Sequence, residues 1–139
     1  LASRARRAVG IDIDGDARRF ARAHLLLAGL PNCTFRHGDM YSLPLADREF
    51  DTIIVDDVLG SADDPVKVLV EAMRPLRPGG RILLLNSTSG ANSTKFSRKF
   101  AEWSREAGLR LAPPRAIPAT NPKWLLGVAT RTDSVTEAA

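Results

Sequence analysis

The sequence has little of several features that would define a class of protein at once. Its 139 residues include one cysteine, Cys33, so an internal disulfide framework is excluded and we expect a reducing compartment. Because no apolar run approaches a membrane span and no signal-peptide pattern opens the chain, we expect a cytoplasmic protein without membrane contact. The two histidines, His24 and His37, lack the spacing of a metal site, and no metal is expected.

The charge balance is also modest. Lysine and arginine outnumber aspartate and glutamate by 20 to 16, which gives a formal net charge of +4. The basic residues are spread along the chain with one small cluster at Arg4, Arg6 and Arg7, a pattern typical of a solvated surface. We therefore expect no direct nucleic-acid partner. The length indicates a single domain over residues 1–139.

What the sequence does contain is an apolar run that ends in acids. Residues Ala8 to Asp16 read AVGIDIDGD, which predicts a buried parallel strand that feeds a helix. Ligands of open α/β sheets bind at the carboxyl ends of such strands, where an acid can accept hydrogen bonds from the two hydroxyls of a ribose. The alternative is that Asp12 or Asp14 only caps the following helix, and at this point both interpretations stay open.

The segment after Asp14 has the periodicity of an amphipathic helix that ends at Gly29. The segment CTFRHGD then alternates from Cys33 onward, which predicts a strand near a sheet edge that ends at Gly38 and Asp39. A second acid therefore follows a strand. The residues expected to form the buried stripe of the helix are Phe20, Ala23, His24, Leu27 and Ala28.

The most apolar strand candidate, Phe50 to Val55, ends in Asp56 and Asp57. Adjacent strand residues point to opposite faces, so these carboxylates are not expected to act as a catalytic dyad, and at most one of them faces a ligand. Strand ends thus carry acids at Asp12, Asp39 and Asp56. Because the carboxyl ends of parallel strands meet at one edge, the three acids predict a site for a polar, nucleoside-like ligand.

The second half of the chain predicts alternating helices and strands. A helix from Ala62 to Arg74 has Asp64 at its N-cap and Pro65 at its first position. Its expected apolar stripe is Val66, Leu69, Val70 and Met73. The other expected elements are a tight turn at 78–80, a strand at Arg81–Leu85, a polar loop at Asn86–Ser93, a helix with Phe96, Phe100, Trp103 and Ala107 on one face and closed by Gly108, strands at Leu109–Leu111 and Lys123–Arg131, and a frayed tail at 132–139.

This succession predicts the class of fold. Strands that alternate with helices are typical of an α/β fold with a mostly parallel sheet and helices on both faces. The last two strands follow one another without a helix, so they are expected to form an antiparallel hairpin at one edge of the sheet.

The order of these segments resembles the class I S-adenosylmethionine-dependent methyltransferases. The resemblance is carried by GIDID, by NCTFRHGDMYSLPLADREFDTIIVDDVL, by DDP and by LRPGGRILLL, and it covers Arg7 to Arg131. It is greatest to the small-molecule group that includes the ubiquinone and menaquinone C-methyltransferases, and to methyltransferase domains fused to ArsR-type regulators. It implies a Rossmann-like fold, S-adenosylmethionine as cofactor and methyl transfer to a small-molecule acceptor.

The resemblance also implies a set of cofactor-binding residues. The acid matching Asp12 would hold the ribose hydroxyls, and Ile13 would pack on the adenine. Asp39 would accept from the adenine amino group, the Met40 backbone would reach the ring, and Asp56 would lie near the methionine part. No catalytic residue is named, because a general base is needed only if the nucleophile must lose a proton. The full implied set is Asp12, Ile13, Gly38, Asp39, Met40 and Asp56.

One diagnostic feature of the resembled family does not occur in this sequence. It is a strand followed by a glycine-rich loop, acid-x-Gly-x-Gly-x-Gly, which approaches the amino acid end of the cofactor. In the family's sheet that strand lies between those matching Ala8–Asp12 and Phe50–Val55, so the missing strand is a central one. We therefore expect a fragment truncated at its N-terminus and inactive alone. The alternative is a compacted sheet that has lost cofactor binding.

Three other functions stay open on the sequence. A nicotinamide-dependent oxidoreductase would also place an acid after its second strand. A non-enzymatic module of a regulator would have a helix-turn-helix pattern upstream, and nucleic acid is expected as a partner only through such a domain. A nucleic-acid methyltransferase is disfavoured because no Asn/Asp-Pro-Pro-Tyr motif follows the Phe50 strand. The expected partner is a small-molecule substrate.

Overall fold

A computed structural model describes residues 4–88, 93–117 and 123–132. The chain divides into two compact units, Leu1–Pro44 and Leu45–Ala139. Among the described residues, no helix is long and apolar enough to cross a membrane. The elements are β1 (Ala8–Asp12), α1 (Gly15–Ala28), β2 (Cys33–His37), β3 (Phe50–Asp56), α2 (Pro65–Met73), β4 (Leu76–Thr88), α3 (Ser93–Glu106), β5 (Leu109–Leu111), β6 (Arg115–Ile117) and β7 (Lys123–Arg131).

The first unit is a β-α-β motif. Strands β1 and β2 are parallel, with a register that runs from Ala8 opposite Cys33 to Asp12 opposite His37. Helix α1 connects them and ends at Gly29, whose φ of 63° lies in the left-handed region that glycine adopts without a Cβ penalty. The predicted strand, helix, helix stop and second strand are confirmed, but β1 was expected to be buried and is not, since Ala8–Ile11 are half-buried and Asp12 is exposed.

The predicted buried stripe of α1 is wrong. Phe20 is 69% exposed and Leu27 is 88% exposed, and none of the helix's fourteen residues, all of them described, is buried. The half-buried apolar positions are Ala21 and Leu25, and the helix packs mainly on β2. Alanines and leucines lie on several sides of this helix, so more than one face carries apolar residues at helical spacing. The spacing alone therefore does not show which face packs on the sheet.

The second unit contains a five-stranded sheet. Its main strand order is β3-β4-β7-β5, and β6 also pairs with β7. Strands β3 and β4 are parallel, whereas β7 is antiparallel to β4, β5 and β6. The predicted antiparallel pair of β5 and β7 is therefore confirmed. Strand β6 was not predicted, because the prolines around it in PPRAIPATNP favour a connection.

Strand β4 begins earlier than predicted, at Leu76 instead of Arg81. The predicted turn at 78–80 lies inside the strand as a bulge. While β3 advances from Phe50 to Thr52, the paired residue on β4 advances from Leu76 to Arg81. The proline and glycines thus interrupt the pairing without ending the strand, because pairing resumes directly after them.

The far end of β4 also differs from the prediction. Residues Asn86–Thr88, expected in a polar loop, continue the strand and pair with β7. Pairing overrides the local preference of these small polar residues for turns. Residues 89–92 of the predicted loop lie outside the described residues.

Helix α2 starts at Pro65, directly after its predicted cap Asp64 and three residues later than the predicted start at Ala62. The Asp64 carboxylate accepts a hydrogen bond of 3.1 Å from the Lys67 N–H, and the helix ends before Arg74. Its predicted stripe is only partly correct, because Val70 is 49% exposed. The residues that α2 buries are Val68, Leu69 and Ala72.

Helix α3 supplies the aromatic part of the core. Phe100 is fully buried and meets Phe96 edge to face at 5.9 Å, as the predicted stripe requires. The chain leaves the helix at Gly108, with φ 82°. The Gly108 carbonyl accepts from the Thr132 hydroxyl at 2.8 Å, so the first residue of the predicted frayed tail is held. Residues 133–139 lie outside the described part.

Candidate functional site

Two of the predicted strand-end acids lie at one edge of the first unit. Asp12 ends β1 and lies opposite His37, the last residue of β2. The Gly38 N–H donates to the Asp12 carbonyl at 3.3 Å, and Asp39 is the next residue. The structure therefore brings Asp12 next to the Gly38–Asp39 segment. Both carboxylate residues are exposed.

The carboxylates of Asp12 and Asp14 have separate partners. Asp14 caps α1, since its Oδ1 accepts from the N–H groups of Asp16 and Ala17 at 2.8 and 3.3 Å. Among the described residues, one group donates to the Asp12 carboxylate, the Asp14 N–H, at 2.9 Å from Oδ1. A carboxylate has about four acceptor positions, so Asp12 can still accept hydroxyl donors. Of the two interpretations of these acids, capping applies to Asp14.

Apolar surface lies beside the Asp12 carboxylate. Ile13 follows Asp12 directly and is 64% exposed. Met40 is half-buried, on the segment that follows β2. An exposed aliphatic group next to a carboxylate matches the two halves of an adenosine, a flat ring and a pair of hydroxyls.

The turn after β2 has a fixed shape. Asp39 Oδ1 accepts from the Tyr41 N–H at 2.9 Å, and the Asp39 carbonyl accepts from the Ser42 N–H at 3.0 Å. A Cβ on Gly38 would lie 2.6 Å from Cγ2 of Ile11. Position 38 must therefore be glycine for the turn to approach β1 this closely. The position of Asp39 therefore depends on Gly38.

A cation near these strand ends was not predicted from the sequence. The Arg18 guanidinium donates to the Asp12 carbonyl and lies 3.0 Å from Nδ1 of His37, so it connects the first turn of α1 with the ends of both strands. Its position in the first helical turn was the available signal, since that turn faces the carboxyl edge of a β-α-β motif.

In the second unit, the two acids after β3 have different surroundings. Asp56 ends the strand and is exposed, although partial burial and the neighbouring Asp57 raise its pKa above the ordinary aspartate value. Asp57 Oδ1 accepts from both the N–H and the hydroxyl of Ser87 at 2.9 Å. The Asp57 carboxylate is therefore bonded to β4, although both acids are exposed. Sequence reasoning missed Ser87, which was expected in a loop but lies near the end of the neighbouring parallel strand β4.

The comparison with protein families gives one match to more than half of the chain. The family described as "Methyltransferase domain" matches residues 1–84. This range contains β1 to β3, α1, α2 and all the strand-end acids described above.

Curated relatives are also methyltransferases. The arsenite methyltransferase of Aquipseudomonas alcaligenes is 40% identical over 81 residues, which covers 53% of this chain and 23% of that protein. The demethylmenaquinone methyltransferase of Listeria monocytogenes is 29% identical over 96 residues, which covers 69% of this chain and 40% of that protein. The chain thus spans less than half of the length of either relative.

Solved structures of methyltransferases have a similar fold. The crystal structure of a SAM-dependent methyltransferase from Aquifex aeolicus matches with a TM-score of 0.73 and 16% identity, over 88% of this chain and 68% of that one. At this identity the likeness concerns the fold alone. It confirms the predicted Rossmann-like α/β class, with antiparallel strands added to the parallel ones.

Proposed function

We propose, from the premise that this chain belongs to the S-adenosylmethionine-dependent methyltransferases of the methyltransferase domain family, that the complete protein transfers a methyl group to a small-molecule acceptor. Membership of this family favours methyl transfer over hydride transfer. The latter is the reaction of a nicotinamide-dependent oxidoreductase, which would also place an acid after its second strand. The observation that carries the proposal in the structure is the placement of Asp12 beside the Gly38–Asp39 segment at the carboxyl edge of β1 and β2.

The residues of the first unit fit the adenosine part of the cofactor. We assign the ribose hydroxyls to the Asp12 carboxylate, which is exposed and has acceptor positions left beside its bond from Asp14. The exposed Ile13 supports an adenine ring, while Asp39 and the Met40 backbone supply acceptor and donor groups for its edge. Gly38 allows the close turn that presents them.

In the second unit, we assign Asp56 to the methionine part of the cofactor, whose ammonium group a carboxylate attracts. Asp56 is exposed at the end of β3, whereas Asp57 is bonded to Ser87. When bound, S-adenosylmethionine supplies an electrophilic methyl group on a sulfonium. The chain's own residues then have to hold the reactants in line and exclude water, a contribution that can reach several kcal/mol.

We also propose a cell compartment, a class of partner and a cofactor affinity for this chain. We place the protein in the cytoplasm, with a small-molecule substrate as its partner and nucleic acid only through another domain. The single cysteine and the modest charge support this. Because the printed sequence contains no glycine-rich loop to approach the amino acid end of the cofactor, we propose that this chain alone binds it weakly.

Calorimetric titration with S-adenosylhomocysteine tests the function. The product of the complete open reading frame that contains these residues should bind one equivalent, and the 139-residue chain should bind much more weakly. Asp12→Asn should weaken binding by about tenfold or more, because the ribose loses a charged acceptor. Asp16→Asn removes the same charge from an exposed helix residue and serves as the control. The absence of binding heat from the complete product would contradict methyl transfer.

A further inference from the structure

Asp57 joins the ends of β3 and β4 through three hydrogen bonds. Its N–H donates to the Leu85 carbonyl at 2.8 Å, and its Oδ1 accepts from the Ser87 N–H and Ser87 hydroxyl, both at 2.9 Å. Its φ of 56° lies in the left-handed region, where aspartate and asparagine occur more often than other residues with a Cβ. A strained backbone is therefore maintained by contacts to the neighbouring strand.

A second contact holds the same loop. The Gly60 N–H donates to Oδ1 of Asn86 at 3.3 Å, and Asn86 is only 5% exposed. A Cβ on Gly60 would lie 2.9 Å from Cζ of Phe96, so α3 covers the loop closely on the other side. Residues 57–60 are thus fixed between the end of β4 and α3.

This arrangement gives two adjacent carboxylates different hydrogen-bond partners. The charges still interact, since Asp57 opposes ionisation of Asp56. Both residues are exposed, but the Asp57 carboxylate accepts two bonds from Ser87, so its position is fixed by β4, whereas Asp56 lies at the end of β3 itself. The conformation of Asp57 also sets the peptide that follows Asp56, and so the direction in which β3 ends.

We propose that Asp57 is a positioning residue, which directs the Asp56 carboxylate to the cofactor by bonding to Ser87. The inference rests on the proposed function, because it needs Asp56 to contact the methionine part. It assigns no cofactor contact to Asp57 itself. The Asp57 carboxylate acts as a hydrogen-bond acceptor for Ser87, and the negative charge that the ligand meets is that of Asp56.

Two substitutions separate this role from a direct one. Asparagine tolerates the left-handed backbone and accepts through Oδ1, so Asp57→Asn keeps the bridge but loses the charge. Glycine tolerates the same backbone but has no acceptor, so Asp57→Gly removes the bridge without adding strain. Asp63→Gly, at an exposed position of the same connection, controls for the loss of one acid.

The experiment is a double-mutant cycle on the complete product, read as the dissociation constant of S-adenosylhomocysteine. Asp57→Gly should weaken binding about fivefold or more, while Asp57→Asn and Asp63→Gly stay near the wild-type value. In an Asp56→Asn background, Asp57→Gly should cause no further loss, since Asp57 acts through Asp56. Thermal melting of each variant, and exchange of the Ser87 amide proton, show that the variants are folded and whether the bridge is present.

The possible failures are distinguishable. If the wild-type product binds and Asp57→Gly binds equally well, or if the losses from Asp56→Asn and Asp57→Gly add, the positioning role is wrong while the proposed function stands. A loss in Asp57→Asn as large as in Asp57→Gly overturns it too, because the charge itself would then be the contact. If the wild-type product does not bind, the proposed function and this inference both fail.

Discussion

Asp12 and Asp14 lie two residues apart, and the Asp12 carboxylate accepts the backbone N–H of Asp14 at 2.9 Å while the Asp14 carboxylate caps helix α1. Substitution of Asp14 is therefore expected to lower stability, whereas substitution of Asp12 by asparagine is expected to leave it nearly unchanged. Asp14→Ala should lower the free energy of unfolding by about 1 kcal/mol, because two first-turn N–H groups lose their acceptor. Urea denaturation measures this loss.

Asparagine is also a good N-cap, so Asp14→Asn should recover most of the stability. Asp12→Asn keeps an acceptor for the Asp14 N–H and should change stability by less than about 0.5 kcal/mol. An equal loss of stability in Asp12→Asn and Asp14→Ala would contradict this division of roles.

Arg74 is the centre of an ion-pair network in the second unit. It donates to the carboxylates of Glu71 and Asp47, both at 2.8 Å, and to the Leu45 carbonyl at 2.7 Å. The bonds that Arg74 donates, first of all to Glu71 and then to Asp47, raise its pKa. Arg74→Met should destabilise the protein by about 1–3 kcal/mol, because the 18% exposed Glu71 side chain loses a charged donor.

Arg77 offers a matched control for Arg74. It pairs with Asp51 at 3.1 Å, but both side chains are at least half exposed. Arg77→Met should therefore change the unfolding free energy by no more than about 0.5–1 kcal/mol. If urea denaturation gives the same loss for both substitutions, the burial of Glu71 does not determine the strength of the network.

Asp56 should make stability depend on pH. Burial and the neighbouring Asp57 raise its pKa in the folded state, so the folded protein binds this proton more tightly than the unfolded chain does. Stability is then lost as the pH rises through the interval from the ordinary aspartate pKa to the raised one. Asp56→Asn should consequently be more stable than wild type at pH 7 and equal to it in acid below that interval.

Urea denaturation at neutral and acid pH checks the Asp56 prediction. Asp63→Asn, which removes one acid from an exposed position, corrects for the change in net charge. A difference between Asp56→Asn and wild type that is the same at both pH values would contradict the assignment. Any stability gained at neutral pH is expected to accompany a loss of cofactor affinity, a common relation at functional sites.

The outer edge of β3 should promote self-association of the 139-residue chain. Among the described strands, β3 pairs only with β4, whereas the opposite edge of the sheet carries Pro113 and Pro114 between β5 and β6. Prolines block edge pairing, and an apolar edge without them is open to it. Sedimentation at increasing concentration should show association that Thr52→Lys, at an exposed edge position, reduces. A chain that stays monomeric throughout would contradict this expectation.

The parts of the fold that the sequence predicted depend on local signals. Asp64, Gly29 and Gly108 set helix ends through caps and a left-handed backbone, which act over a few residues. The strand-end acids Asp12 and Asp39 were placed together because parallel strands share an edge, and the structure brings them together.

The parts that the sequence did not predict depend on pairing between distant segments. Strand β6 and the end of β4 exist because β7 pairs with them, although prolines and small polar residues favour loops there. The exposed face of α1 was misassigned because two faces carry apolar residues at helical spacing. The bond between Asp57 and Ser87 joins residues that are thirty positions apart, and no local pattern indicates it.

The central claim is that the carboxyl edge of β1 and β2 binds the adenosine part of S-adenosylmethionine. Backbone amide resonances of the ¹⁵N-labelled chain, followed during titration with S-adenosylhomocysteine to millimolar concentration, test it even if binding is weak. Saturable shifts are expected at Ile13, Gly38, Asp39 and Met40, and these should be abolished by Asp12→Asn and preserved in Asp14→Asn. Unchanged amides at these four positions, under conditions in which the complete product binds the same ligand, would contradict it.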